Sequence, residues 1–400
     1  MRRLWALVWG VGIGFGIVAI PASSSAQIET AWMNHYDGFG RGGTLPDAIV
    51  TDRAGNAYIT GRTWNGSAFD QVLLKYDPNG MLLWERKYTG VAEFSGDATS
   101  LAISQSGNIC ITGSNSFGGR HHGYCVLTFD PSGGLMAEDW RNWPDFGPTH
   151  IQAVQSDAAG AVYVIGLHET SVGDTDCFVR KYSASGKLLW DNLFDATSSA
   201  SMATALKVDT FGRIAVAGEC RNHGVSQFLT IEYNQDGDLL WKERFHPEKD
   251  VRAVPRQIEI GGAGEVYVTG CSHGSRPDCD IVLVKYTGDG RRDWHRTYSA
   301  TGHSPDRVAG MAVDASGNVF VAGFSRDAKT DFDYLTLKYD SYGGLVWETR
   351  YNGPSDSRDQ ARGVAIDPQG NALVTGASWL NGLGYRFVTV KYCADVPAGR

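Results

Sequence analysis

The sequence predicts an all-β protein, a seven-bladed β-propeller of four-stranded antiparallel blades. A strand-like segment ending in glycine recurs at Gly61, Gly113, Gly166, Gly218, Gly270, Gly323 and Gly376, at intervals of 52 or 53 residues. Fifteen or sixteen residues after each glycine, an apolar run ends in an aromatic residue, at Tyr76, Phe129, Tyr182, Tyr233, Tyr286, Tyr339 and Tyr392, and Lys precedes five of these seven. The two ends of the chain complement each other: Trp32 to Tyr36 has the pattern of a fourth strand, and the chain stops just after the third-strand Lys391-Tyr392. A period near 50 filled by four short strands points to a propeller rather than a solenoid.

Within the first unit the strands read as Ala48 to Thr51, Ala57 to Thr60, Gln71 to Tyr76 and Met81 to Tyr88. Asp52-Arg53-Ala54-Gly55-Asn56 joins the first two and Asp77-Pro78-Asn79-Gly80 the last two, both rich in residues that preset a turn or tolerate positive φ. The fourth strand carries Gly-x-x-x-Trp-x-x-x-aromatic, as in Gly80-Trp84-Tyr88 and Gly343-Trp347-Tyr351. That spacing puts the Trp and its partner on one face, where they fill the widening gap between blades. The second unit has Ala137 in the Trp position and Trp140 three residues later, which predicts a bulged or reset outer strand. If Trp32 to Tyr36 completes the last blade, the ring has no open seam and the strand beginning at Ala48 is the innermost of its blade.

The unit Asp314-x-x-Gly317-Asn318-Val319-Phe320-Val321-Ala322-Gly323, followed by Phe332 to Asp340 and Trp347, resembles the bacterial repeat family called SBBP. The resemblance covers nearly the whole chain after its leader. It implies a seven-bladed propeller in an exported protein and brings no catalytic residue with it. Ser185-Gly186-Lys187-Leu188-Leu189-Trp190 also resembles the tryptophan docking motif of quinoprotein dehydrogenases and of outer-membrane assembly propellers. The quinoenzymes are eight-bladed with adjacent cysteines, and this sequence has neither feature, so no quinone and no other cofactor is expected.

Arg2-Arg3, an apolar stretch from Leu4 to Ile20 and Ser24-Ser25-Ala26 form the pattern of a secretory signal peptide over residues 1–26, leaving 27–400 as the propeller. A secreted or periplasmic location follows, with no membrane span in the mature chain and a monomeric ring. The formal charge is −8 before the leader and its two arginines are removed, and no basic stripe is present, which argues against nucleic acid as a partner. Fifty Gly beside abundant apolar residues fit a turn-rich folded chain.

The turns between strands one and two and between three and four are nearly uniform. The second-to-third loops and the blade-to-blade connections vary, and antiparallel geometry gathers them on one face, where a ligand is expected. Trp64-Asn65 and Trp379 with Asn381 stand three residues past the repeat Gly in the first and last blades, which closure makes neighbours; they read either as an aromatic pair for a sugar ring or peptide, or as each Trp folded on its own loop. Arg326 and the His121-His122 pair lie in the same loop set. His168, His223 and His273 extend it over further blades, too far apart at the roughly 10 Å spacing of packed sheets for one metal ion. Asp47, Asp97, Arg256, Asp306, Arg307, Asp359 and Arg362 begin inner strands and are expected around the channel mouth. Seven Cys is an odd number for an exported chain; Cys110 with Cys125 and Cys271 with Cys279 are candidate disulfides across second-to-third hairpins, and free thiols are the alternative.

No paired-carboxylate or His-carboxylate arrangement stands out. A non-catalytic scaffold binding a protein, glycan or surface polymer is therefore the first expectation. A hydrolase or lyase at the axial mouth and an envelope-assembly or surface-display propeller are the alternatives.

Overall fold

The computed structural model describes residues 28–394 apart from segments 39–42, 67–68, 89–97, 118–120, 143–148, 170–174, 195–201, 223–224, 249–250, 274–278, 301–304, 327–329 and single positions 105, 158 and 186. These residues form seven four-stranded antiparallel sheets. The first blade is β2 (Thr44–Thr51), β3 (Ala57–Trp64), β4 (Phe69–Tyr76) and β5 (Leu82–Tyr88). Its β2 and β3 run further toward the variable face than the sequence suggested. The inner strands of the other blades are β6 (Ala98–Ile103), β10 (Thr149–Ser156), β14 (Met202–Val208), β18 (Arg252–Ile260), β22 (Asp306–Val313) and β26 (Asp359–Ile366). Each inner strand packs on the next, and β2 packs on β26, so the ring is closed.

Closure is made as the chain ends suggested. The last sheet runs β1 (Thr30–Tyr36), β28 (Gly384–Tyr392), β27 (Ala372–Leu380), β26, so the first strand of the chain completes the last blade. Trp32 Nε1 then donates to the Pro78 carbonyl of the first blade at 3.0 Å, and Tyr36 Oη to Glu85 at 2.8 Å.

The same Trp contact recurs in the third and fifth blades. Trp190 donates to the Gln235 carbonyl at 3.2 Å and Trp294 to the Ser341 carbonyl at 3.1 Å, each in the third-to-fourth turn of the following blade. The repeat glycine of that turn lies on the indole: a Cβ on Gly343 would come within 3.0 Å of Trp294, and its φ of +80° excludes most side chains as well. The lysine before the third-strand aromatic caps the same carbonyl, Lys391 on Pro78 and Lys181 on Gln235, both at 3.0 Å. Two of the departures follow from local sequence. In the fourth blade Glu232 replaces that lysine and accepts Trp241 Nε1 itself. In the sixth, the third and fourth strands of the following blade are β28 and β1, which no turn joins; Lys338 takes the Ala394 carbonyl and the buried Trp347 Nε1 has no partner among the described residues.

The second blade corrects one expectation. In β9 (Leu135–Asn142), Ala137 pairs with Thr128 as Trp84 pairs with Lys75, and the register shift at Thr128/Phe129 is the one every other third-to-fourth pair shows where it is described. The outer strand keeps the common register, and Trp140 is displaced within it rather than resetting it.

The repeat glycine of the second strand has a cause that periodicity alone did not reveal. Every inner strand shifts register by one residue at the same level, opposite that glycine: Pro46/Ala48 at Gly61, Ala203/Ala205 at Gly218, Ala361/Gly363 at Gly376, and likewise in the other four blades. A β-bulge pushes the inner backbone against its neighbour. A Cβ on Gly218 would lie 2.5 Å from the Met202 carbonyl oxygen and 2.7 Å from the Phe194 ring. The glycine therefore serves the bulge and a stacked aromatic at once, and the residue left unpaired by each bulge is Asp47, Thr99, Gln152, Thr204, Arg256, Ala309 or Arg362.

Candidate functional site

The two faces of the ring differ in how they use their polar atoms. On the face of the first-to-second turns, Asp52 Oδ1 accepts the amides of Ala54 and Asn56 at 2.9 Å, and Asp157, Asp209, Asp314 and Asp367 do the same in their blades. Burial would raise the Asp52 carboxyl, but hydrogen bonds from Asn56, Tyr58 and Ala54 outweigh it and hold the group below its ordinary value. A groove of about 580 Å³ lies here between the sixth, seventh and first blades, lined by Asp52, Arg53, Asp314, Lys338, Asp367 and Gln369. Its carboxylates are engaged within their own turns, and Asp367 is further held by Lys391 at 2.7 Å, so the groove offers a ligand few free acceptors.

The opposite face carries the variable connections. Trp64 pairs with Phe69 and Trp379 with Tyr385 across their hairpins, with ring centroids 5.1 and 5.0 Å apart in edge-to-face geometry. Each Trp thus packs on an aromatic of its own hairpin, and the hairpins meet at the closure seam, where Trp64 N donates to the Gly43 carbonyl at 3.3 Å and Thr44 Oγ1 to the Tyr385 carbonyl at 3.4 Å. Trp379 remains 36% exposed and Phe69 40%, which leaves an apolar edge at that seam. Asn65 is tied to Asp70 at 2.9 Å, and the Asn381 amide to Ser355 at 3.2 Å. Arg326 and Arg358 flank Asp331 at 3.8 and 3.0 Å.

The charged residues expected at the channel mouth separate into three groups. Asp306 and Asp359 are not at the mouth surface, being 0% and 1% exposed. Asp306 accepts from the Ser325 hydroxyl and from the Ala300 amide at 2.8 Å, and Asp359 from the Gly353 amide, so both cap the chain entering their blade. Asp47 is largely buried and pairs with Arg62 at 3.7 Å. Arg256 and Arg307 are exposed and Arg362 is half-buried. Asp97 lies outside the described residues.

Burial raises the Asp306 carboxyl above its ordinary value, and the same cause raises Asp359. The folded state then holds the proton more tightly than the unfolded chain, so this contribution to stability is fully present below the ordinary aspartate value near 3.9 and is lost as pH rises through the raised one. Asp306→Asn keeps an acceptor for the Ala300 amide and removes the titration. Its melting temperature relative to wild type should therefore improve as pH rises from about 4 through the raised value and level off above it; an offset constant with pH would show that Asp306 does not titrate differently on folding.

Among the described thiols, Cys110, Cys271 and Cys279 are free. Cys110 is opposite Thr128 and Cys125 opposite Gly113, three rungs apart along the hairpin, and the Cys125 side chain lies outside what is described. Cys110 accepts from the Ser156 hydroxyl at 3.1 Å. In β19 (Val266–His273) and β20 (Cys279–Tyr286), Cys271 faces Ile281, two residues from Cys279, so these two thiols share a face. The Cys279 thiol hydrogen-bonds the Cys271 sulfur, which draws Cys271 below the usual thiol range and pushes Cys279 above it. His273 beside them is lowered by burial and by Arg252, Arg307 and Arg256. His121 and His122 open β8 (His121–Phe129), paired with Phe117 and Ser116; their side chains and that of His168 lie outside what is described, as does His223. No group of three or more metal-ligating side chains occurs among the described residues.

Fold and surface together define an all-β seven-bladed propeller closed by its first strand, with one uniform face and one varied face. No protein-family profile matches the sequence. No curated protein matches it either. Solved structures do. The chain is similar to the β-propeller domain of the Trilobed protease from Pyrococcus furiosus, at 10% identity over 90% of this chain and 98% of that one, with a TM-score of 0.54. That domain is described as having an open velcro topology, whereas this chain interleaves both of its ends in one blade. Sqt1 from Chaetomium thermophilum aligns at 10% identity over 92% and 99% of the two chains with a TM-score of 0.54, and the polysaccharide lyase Uly1 at 11% over 87% and 90% with a TM-score of 0.50. At these identities the likeness is one of fold alone.

Proposed function

We propose that the protein is an exported, non-catalytic binding scaffold that presents the varied face of its ring to a protein, a glycan or a surface polymer. The observation that carries this reading is the contrast between the faces. One is a set of near-identical turns whose side-chain acceptors are spent on their own backbone. The other bears an aromatic edge at Trp379 and Phe69, and arginines at inner-strand ends. Rigid scaffolds that confine variation to one face use that face for recognition. Export is supported by the Arg2-Arg3, Leu4 to Ile20 and Ser24-Ser25-Ala26 pattern. Among the described residues no helix is long and apolar enough to cross a membrane.

The test is affinity capture from the secreted and periplasmic fractions, run beside a glycan array, with the wild type and two variants. Trp64→Ala with Trp379→Ala should lower binding at least tenfold, while Tyr342→Ala, at an 82% exposed turn on the uniform face, should leave it unchanged. Binding that survives the first change and is lost with the second would put the ligand on the wrong face for this proposal.

A further inference from the structure

Three adjacent blades bring a guanidinium to the varied-face half of the inner strand: Arg256 in β18, Arg307 in β22 and Arg362 in β26. Arg256 and Arg362 are the residues their bulges leave unpaired, and Arg307 precedes Val308, where the bulge of its own strand begins. The strands abut at this level. Gln257 Nε2 donates to the Ala309 carbonyl at 2.9 Å, and a Cβ on Gly310 would lie 3.0 Å from the Gly363 Cα. Arg256 and Arg307 both act electrostatically on Cys271 and His273, so they serve one neighbourhood.

None of the three forms an ion pair or hydrogen bond with a described residue. Other arginines on this face do: Arg62 with Asp47, Arg221 and Arg252 with Glu219, Arg358 with Asp331, Arg350 with the Ser325 hydroxyl. Asp306 and Asp359 are buried and committed to Ser325, Ala300 and Gly353, Asp47 of the adjoining first blade pairs with Arg62, and Asp280 acts on the same His273 as Arg256 and Arg307. The chain as a whole is acidic, at −8, so this sector runs against its overall charge.

A guanidinium offers a planar fork of donors that suits carboxylate and sulfate oxygens. Spread over three blades, the forks suit anionic groups repeated along a chain rather than one small ion. The exposed Trp379 belongs to the same blade as Arg362 and lies on the same varied face, its amide donating to the Arg358 carbonyl at 3.1 Å. Aromatic rings and guanidinium forks together fit a sugar polymer that carries acids.

We propose that the axial mouth at the fifth to seventh blades binds an acidic polysaccharide, with Arg256, Arg307 and Arg362 taking its carboxylate or sulfate groups. The proposal rests on the scaffold reading above and names its ligand class.

Affinity electrophoresis of the full mature chain through polygalacturonate, dextran sulfate and neutral dextran, with inorganic sulfate and single-stranded DNA as competitors, tests it. Wild type should be retarded by an acidic polymer and not by neutral dextran, with retardation falling as salt rises. Arg256→Gln/Arg307→Gln/Arg362→Gln should weaken this at least tenfold at an unchanged melting temperature, and Arg291→Gln on the other face should not. Absence of retardation, an unchanged triple variant, equal affinity for inorganic sulfate, or stronger binding of DNA would each overturn the assignment. A neutral ligand captured by the varied face independently of the three arginines would remove this inference and leave the scaffold reading standing; no capture by either face would remove both.

Discussion

A chain beginning after Gly38 should unfold at a melting temperature lower by roughly 10–20 °C, and over a broader transition, than one beginning at Ile28. β1 contributes the fourth strand of the last blade, with a ladder from Trp32↔Lys391 to Tyr36↔Phe387. It also supplies Trp32 against Gly80 and Tyr76, and the Asn34 amide to the Gly80 carbonyl. Loss of a packed Trp alone costs about 3–5 kcal/mol, and a ladder edge left open exposes β28 to other chains. At about 2–4 °C per kcal/mol for a domain of this size class, the shift is large. Calorimetry on both chains checks it, and a synthetic peptide spanning residues 28–38 should restore most of the loss. Equal melting temperatures would mean that the ring is held by its inner strands alone.

Gly323→Ala should cost at least about 3 kcal/mol, the range of overpacked or strained core positions. Its Cβ would be driven into the Arg307 carbonyl oxygen, with the Val308 Cα 3.2 Å away, and backbone on a buried strand has nowhere to move. Gly370→Ala is the matched comparison. Its φ of +84° carries the usual left-handed penalty of about 1–2 kcal/mol, but the nearest atom to a new Cβ, on Ala394, stands 3.5 Å off in ordinary contact. Urea unfolding of the two variants should therefore separate them clearly, with Gly323→Ala the less stable; the reverse order would refute the bulge as the reason for the repeat glycine.

Most of the fold was legible because each unit restates it. The glycine spacing, the turn residues and the Gly-x-x-x-Trp pattern all report local conformations that hold wherever the motif occurs, and the matching ends at Trp32 and Lys391 required only that a blade have four strands. The candidate surface was legible only in outline. Trp64 and Trp379 were found by their odd placement, but their rings are partly occupied by Phe69 and Tyr385. A signal for that lay in the aromatic five or six residues after each Trp, facing it across a hairpin.

The blade count, the closing strand and the face that varies follow from repetition and from backbone preferences that can be read one residue at a time. Which charges are spent and which are free was settled by packing. Asp306, Arg307 and Arg362 look alike at the head of an inner strand, yet a one-residue bulge opposite Gly323 and Gly376 sets the register that follows. Burial then commits Asp306 to Ser325, while Arg307 and Arg362 pair with no described residue. Charge pairing depends on which strands meet and at what register, and no spacing along one chain encodes the distance between neighbouring blades.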